Sequence, residues 1–183
     1  MQGKDKAFIV LAGQTLLTRM VARLAPQVDA LAINSNAASD NFSDFGLPVI
    51  PDLISGYQGP LAGMHAGLSA YPNDYVLTVA VDLPFLPHDL ARRLRAGIQN
   101  QCCVHAASGG QHALALLWAP GMAQEVETFL QGGGRSLKDW LSNHGAAVEF
   151  AGSSDNDILL NINSPEDLQA AEQRLTAQQQ QQQ

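Results

Sequence analysis

The sequence predicts a three-layer α/β fold with a mostly parallel sheet, and three observations carry that expectation. Apolar runs rich in Val, Ile and Leu alternate along the chain with segments of helical spacing, as strands do when each is followed by a covering helix. One run, "YVLTVAV" at 75–81, is apolar on both of its faces, as a central strand between two helical layers must be. In "NSPEDL", Ser164 stands where an N-cap belongs, Pro165 at the first helical position, and acids in the first turn.

The 183 residues suit one domain with a sizeable core, set at residues 1–176, with no internal repeat and no linker-like stretch. Residues 177–183 form a glutamine-rich tail, expected to fray or to be disordered.

In chain order, "VLAGQTLLTRM" at 10–20 reads as a strand, a turn at Gly13 and the start of a helix. Further strands are expected at 29–34, 48–50, 75–81, 102–108, 113–118, 146–150 and 157–162, where the β-branched and aliphatic runs lie. Helical spacing predicts Leu16–Leu24, Pro60–Ala70, Pro87–Ile98, Met122–Leu130, Leu137–Asn143 and Pro165–Thr176. Pro60, Pro87 and Pro165 each stand where a helix begins.

Composition removes several classes of function. The net charge is −7 and the ten basic residues are scattered, so the clustered Lys and Arg that bind a phosphate backbone are missing. Apolar runs stop well short of a membrane span, and "MQGKDKAF" has no signal-peptide core. Cys102 and Cys103 are adjacent and build neither a disulfide framework nor a zinc site, which favours a reducing cytoplasm.

Ligands of such sheets sit at the carboxyl ends of strands. Asp82 terminates the run 75–81 just before Leu83-Pro84. It either holds Mg²⁺ beside substrate phosphates or caps the turn. In "GYQGPLAGMHAGL" (56–68), Gly59, Pro60 and Gly63 bracket a turn into a helix. Its N–H groups suit a base or phosphate, and close helix–sheet packing needs the same glycines. Lys4 and Lys6 flank Asp5 in "MQGKDK", as phosphate partners or as exposed N-terminal lysines. His112 in "GGQHALALL" lines the cleft or sits in a turn; Arg135 in "GGGRSLKDW" reaches an acidic ligand or lies on the surface at a helix start.

Six stretches, taken in order, carry a resemblance: "MQGKDK" (1–6), "INSN" (33–36), "VIPD" (49–52), "GPLAGM" (59–64), "VDLPFLPHDL" (81–90) and "NINSPEDL" (161–168). Together they resemble the molybdenum cofactor guanylyltransferases, the MobA family, from Met1 to about Leu175. The resemblance implies a Rossmann-like nucleotidyltransferase fold. It implies transfer of GMP from GTP to molybdopterin, with release of pyrophosphate and Mg²⁺ as cofactor. Lys6, Asn34, Asp52 and Asp82 would contact GTP, with Lys6 and Asp82 catalytic and Asp82 on the metal; Asn161 and Asn163 would lie on the molybdopterin side. Other molybdenum-cofactor proteins are the further partners it suggests. The "GPLAGM" stretch differs from that of related cytidylyltransferases and leans toward guanine. Two alternatives stay open: a nucleotidyltransferase for CTP or a sugar phosphate, and a non-catalytic nucleotide-binding domain.

Ahead of the position matched by Met1 the family has a strand and a Leu-Ala-Gly-Gly turn, roughly 15–20 residues, whose N–H groups grip phosphates. "LAGQTLLTRM" imitates that turn but has Gln14 for its second glycine and Arg19 one residue late. The expectation is that the reading frame begins upstream.

Overall fold

A computed structural model describes residues 5–56, 59–150, 158 and 160–181. The chain opens with a 3-10 turn at Lys6–Phe8, where the Asp5 carboxylate accepts from Ala7 N–H. A hairpin of β1 (Val10–Leu11) and β2 (Gln14–Thr15) follows. Its two central residues, Ala12 and Gly13, have φ of 47° and 80°, the twist that two-residue hairpin loops require. Thr15 then caps α1 (Leu16–Leu24) by accepting from Thr18 N–H, and Leu16, Leu17 and Met20 turn into the core. Val10–Met20 is therefore strand, turn and helix start, as read.

β3 (Ile33–Asn34) and β4 (Val49–Ile50) form a small parallel sheet. α2 (Pro60–Ala70) leads to a four-stranded sheet made of β5 (Val76–Val79), β6 (Cys103–Ser108), β7 (Gln111–Trp118) and β8 (Gly145–Glu149), in the order β5-β7-β6-β8. The later helices are α3 (Leu90–Ile98), α4 (Ala123–Gln131), α5 (Leu137–His144) and α6 (Pro165–Gln181). α3 covers one face of the sheet in a core with Val104, Ala106 and Leu117. The other face, with Cys103, Leu116 and Trp118, packs on α2, α4 and α5. Three layers result, helix on sheet on helix.

The four-stranded sheet departs from a mostly parallel one. β7 runs antiparallel to both β5 and β6, and only β6 and β8 pair in parallel. The cause is local. Gly109 and Gly110, with φ of 56° and 78°, close a two-residue loop that forces β6 and β7 into a hairpin. β5, β6 and β8 still point the same way, so the fold keeps one carboxyl edge.

β5 departs too. The run 75–81 was expected to be central, yet β5 pairs with β7 alone and its four residues are half-buried. Its other flank faces a cleft of about 1000 Å³, lined across the gap by Leu31–Asn34 and closed by α1 and α2. Smaller differences concern element ends. α3 starts at Leu90, because Pro87 stands in the preceding turn. Around 157–162, residues 160–162 are not in a strand, and Asp157 and Leu159 lie outside the described residues. α6 continues past Thr176 into the glutamine run as far as Gln181, consistent with the good helix propensity of Gln.

Candidate nucleotide-transfer site

Two polar clusters stand at the carboxyl ends of the strands. The first joins Lys6, Asp82 and Asn163, residues that are 76 and 157 positions apart from Lys6 in sequence. β5 leads to Asp82, which sits with Val81 inside the turn closed by Leu83 N–H donating to Ala80 C=O. Lys6 Nζ lies 2.7 Å from Asp82 Oδ2 and also donates to Asn163 Oδ1. Asp82 is buried, while the Lys6 side chain is 41% exposed, so the ammonium stays open to an incoming anion. Among the described residues the Asp82 carboxylate accepts from Lys6 and from no backbone N–H of its own turn.

The stretch 161–164 is pinned from both sides. Ile162 N–H donates to Asp82 C=O at 2.9 Å. Asp167 Oδ2 accepts from Asn163 and Ser164 N–H at 2.9 and 2.8 Å, and Ser164 Oγ accepts from Asp167 N–H in return. This is a capping box at the start of α6. Hydrogen bonds from Asn163 N–H, then from Ser164, hold the Asp167 carboxyl below its ordinary range. Asn163 is thereby aimed at Lys6, and Asn161 lies exposed two residues earlier.

The second cluster joins Asn34, Asn36 and Asp52 beyond β3 and β4. Asn34 Nδ2 donates to Ile50 C=O at 2.9 Å and to Asp52 Oδ1 at 3.0 Å. Asn36 Nδ2 donates to Asp52 Oδ2 at 2.9 Å, while Asn36 Oδ1 accepts from Asp52 N–H at 2.9 Å. Asn36 thus orients Asp52 as strongly as Asn34 does. Sequence reasoning quoted it in "INSN" but did not assign it to the site; the Asn-x-Asn spacing at a strand end was the available signal.

α2 approaches this second cluster at Gly63, where a Cβ would fall 2.9 Å from Asn34 Cγ. Gly63 is glycine because Asn34 fills the space. Pro60 opens α2 after Gly59, and Gly59 packs 3.7 Å, by its Cβ direction, from Arg135 C=O. The two clusters are neighbours through packing: Ala7, beside Lys6, and Ile33, beside Asn34, share one apolar cluster with Leu17 and Phe42.

Lys4, Tyr57 and Gln58 lie outside the described residues. Arg135 is exposed, and its guanidinium donates to Leu130 C=O at the end of α4 and to Gly134 C=O. His112 opens β7 at the same carboxyl edge as Asp82.

A MobA-like NTP transferase domain matches residues 1–148. The chain belongs to that family. A molybdenum cofactor guanylyltransferase of Cereibacter sphaeroides is 40% identical over 178 residues, covering 96% of this chain and 90% of that one. A namesake from Rhizobium meliloti is 39% identical, covering 93% and 84%. The solved structure of molybdopterin-guanine dinucleotide biosynthesis protein A from Archaeoglobus fulgidus matches with a TM-score of 0.80 at 20% identity, over 96% of this chain and 92% of that one. A 4-diphosphocytidyl-2C-methyl-D-erythritol synthase from Anaerococcus prevotii shares the fold at TM-score 0.73 and 13% identity, covering 93% of each chain. Family membership makes the chain a nucleotidyltransferase of molybdenum cofactor biosynthesis with a Rossmann-like fold. The fold by itself is common to guanylyl- and cytidylyltransferases, so the base is decided by side chains and loops.

No helix among the described residues is long and apolar enough to cross a membrane.

Proposed function

We propose that this chain transfers GMP from GTP to the terminal phosphate of molybdopterin, producing the guanine dinucleotide form and pyrophosphate. The observation that carries this reading is a pair of polar clusters at strand ends, joined by one apolar cluster, in a chain whose relatives are named guanylyltransferases of this cofactor. Asn34 and Asp52 serve the nucleoside end, Lys6 and Asp82 the triphosphate, and Asn161 and Asn163 the molybdopterin side.

Mg²⁺ fits this donor set. Among the described residues no group of three or more His, Cys, Asp or Glu is gathered, which speaks against a fully protein-caged ion. A single strand-tip carboxylate suits Mg²⁺, which takes one or two carboxylates and fills its shell with waters and substrate phosphates. Asp82 would hold it, and the ion, when bound, neutralises charge developing on the phosphate oxygens.

The remaining work belongs to the protein. Lys6 draws the triphosphate toward Asp82 and offsets its charge. Its hydrogen bond to Asn163 ties the triphosphate end to the acceptor end, so both substrates are oriented from one ammonium. Phosphoryl displacement needs alignment and charge neutralisation more than covalent chemistry, and no nucleophile stands in either cluster. Guanine presents N1–H and an exocyclic amine, so its reader must offer acceptors, and Asp52 brings a carboxylate to this cluster.

The test is an anaerobic assay with Mg²⁺, molybdopterin and GTP or CTP labelled at the α-phosphate. Label from GTP should enter the pterin product in preference to label from CTP. Equal or better use of CTP would refute the guanine assignment, and transfer from neither nucleotide would refute the transferase reading.

A further inference from the structure

We infer that His112 is a contact residue for the phosphate monoester of the acceptor substrate, and that His105 is the positioning residue behind it. This rests on the guanylyl-transfer reading above and adds residues to its acceptor side.

The placement comes from register. β5 and β7 pair Val76 with Trp118 and Val79 with Ala115, and Ala80 N–H still donates to Leu114 C=O. Val81 and Asp82 then leave the ladder in the turn closed by Leu83 N–H on Ala80 C=O, so Asp82 sits just past the end of β5, at the edge where His112 opens β7. The alternation of β7 decides the face. Leu116 and Trp118 pack toward α2, α4 and α5, so Leu114 and His112 are on that side, the side where α2 begins. His112 is exposed there, one strand away from Asp82.

His112 is also held. Its Nδ1 lies 2.8 Å from His105 Nε2, the rings meeting edge to face with centroids 4.6 Å apart. The contact exists because the β6–β7 register shifts between His105 and Ala107, a bulge that brings the two imidazoles together. His105 itself is buried, and its Nδ1 has no hydrogen-bond partner among the described residues. A buried polar atom without a partner is a stability cost that asks for a reason.

The network assigns the protons. An orphaned buried N–H is less tolerable than an orphaned lone pair, so the neutral His105 carries its proton on Nε2 and donates to His112 Nδ1. The proton of His112 is then confined to Nε2, which points away from His105 as a fixed donor. Burial keeps His105 from ionising at neutral pH, pushing it down to about 4, so the arrangement persists where the enzyme works. A fixed N–H donor at the edge that carries the metal-holding carboxylate is what an incoming phosphate oxygen needs.

The experiment measures binding and turnover on the full chain. By anaerobic calorimetry, His112→Ala should weaken molybdopterin about ten-fold, the loss expected for one hydrogen bond to a charged group, and leave GTP affinity unchanged. His112→Gln, which keeps an N–H donor, should recover part of it. His105→Leu should shift molybdopterin affinity in the same direction without lowering the melting temperature, since an unpartnered nitrogen leaves the core. The steady-state split is a raised KM for molybdopterin with KM for GTP within two-fold. Wild-type transfer from GTP combined with unchanged molybdopterin affinity in His112→Ala would overturn this assignment alone. Equal losses for GTP and molybdopterin would also overturn it, as a general disturbance of the edge. A wild-type chain that binds neither substrate would overturn the transferase reading and this inference with it.

Discussion

Gly63→Ala separates stability from nucleotide binding at this site. The added methyl would stand 2.9 Å from Asn34 Cγ and nearer still to its Oδ1, inside any contact real Cβ atoms make. The obstacle is the end of one side chain, so Asn34 swings aside and the backbone stays. Swinging breaks its bonds to Ile50 C=O and Asp52 Oδ1, at 2.9 and 3.0 Å. Each contributes about 0.5–1.5 kcal/mol, at the lower end for an exposed residue such as Asn34. Alanine in place of glycine inside a helix returns about 1 kcal/mol. The two nearly cancel, and for a domain of this size the melting temperature should move by no more than about 2–4 °C. Binding has no such compensation. Asn34 leaves the cleft and Asp52 keeps only Asn36, so GTP affinity should fall about ten-fold, the equivalent of one lost hydrogen bond of about 1.4 kcal/mol. Differential scanning calorimetry and titration with GTP check the two halves. Native GTP affinity would refute the placement of Asn34 against the nucleotide; a large loss of melting temperature would show that the backbone of α2, not Asn34, takes the strain.

Asp82→Ala should abolish most Mg²⁺-dependent turnover while the fold stays near native, since Lys6 remains solvated once its partner is gone; retained activity would refute the metal assignment. Acidification should destabilise the chain through His105. Its folded pKa is depressed from 6.5 to about 4 by burial and then by His112, so the unfolded state binds the proton more tightly. The associated stability is complete above about pH 6.5 and is lost as pH falls toward 4, by about 3 kcal/mol at about 1.4 kcal/mol per pKa unit. Urea unfolding at pH 7 and 4.5 should show a smaller pH dependence in His105→Gln than in the wild type; equal slopes would refute the cause.

Local features of this fold were legible because they are written in neighbouring residues. Thr15 before an amphipathic run and Pro60 after Gly59 set the starts of α1 and α2 where the spacing predicted them. Lys6, Asp82 and Asn163 were expected to share a site on resemblance alone, and the structure brings them into hydrogen-bond reach. The insertion of β7 between β5 and β6 was not legible, since strand order depends on contacts across the chain. Part of it was nonetheless available, because Gly109-Gly110 between two strands is a hairpin signal. Asn36 has no role readable from its neighbours, and its role shows only when Asp52 is seen to bond it twice. The edge position of β5 contradicts its composition, which reads as a strand with neighbours on both sides.

The cleft beside β5 makes the spacing of the two clusters a soft coordinate. Among the described residues no ladder hydrogen bond spans it, so Asn34 and Asp52 ride on one sheet and Asp82 on another. What couples them is apolar contact around Ala7, Leu17, Ile33 and Phe42, which resists sliding far less than a ladder of directional bonds does. A nucleotide reaching from one cluster to the other would act as a strut, stiffening the distance between them. In this enzyme the first substrate would then tune the platform on which the second must land.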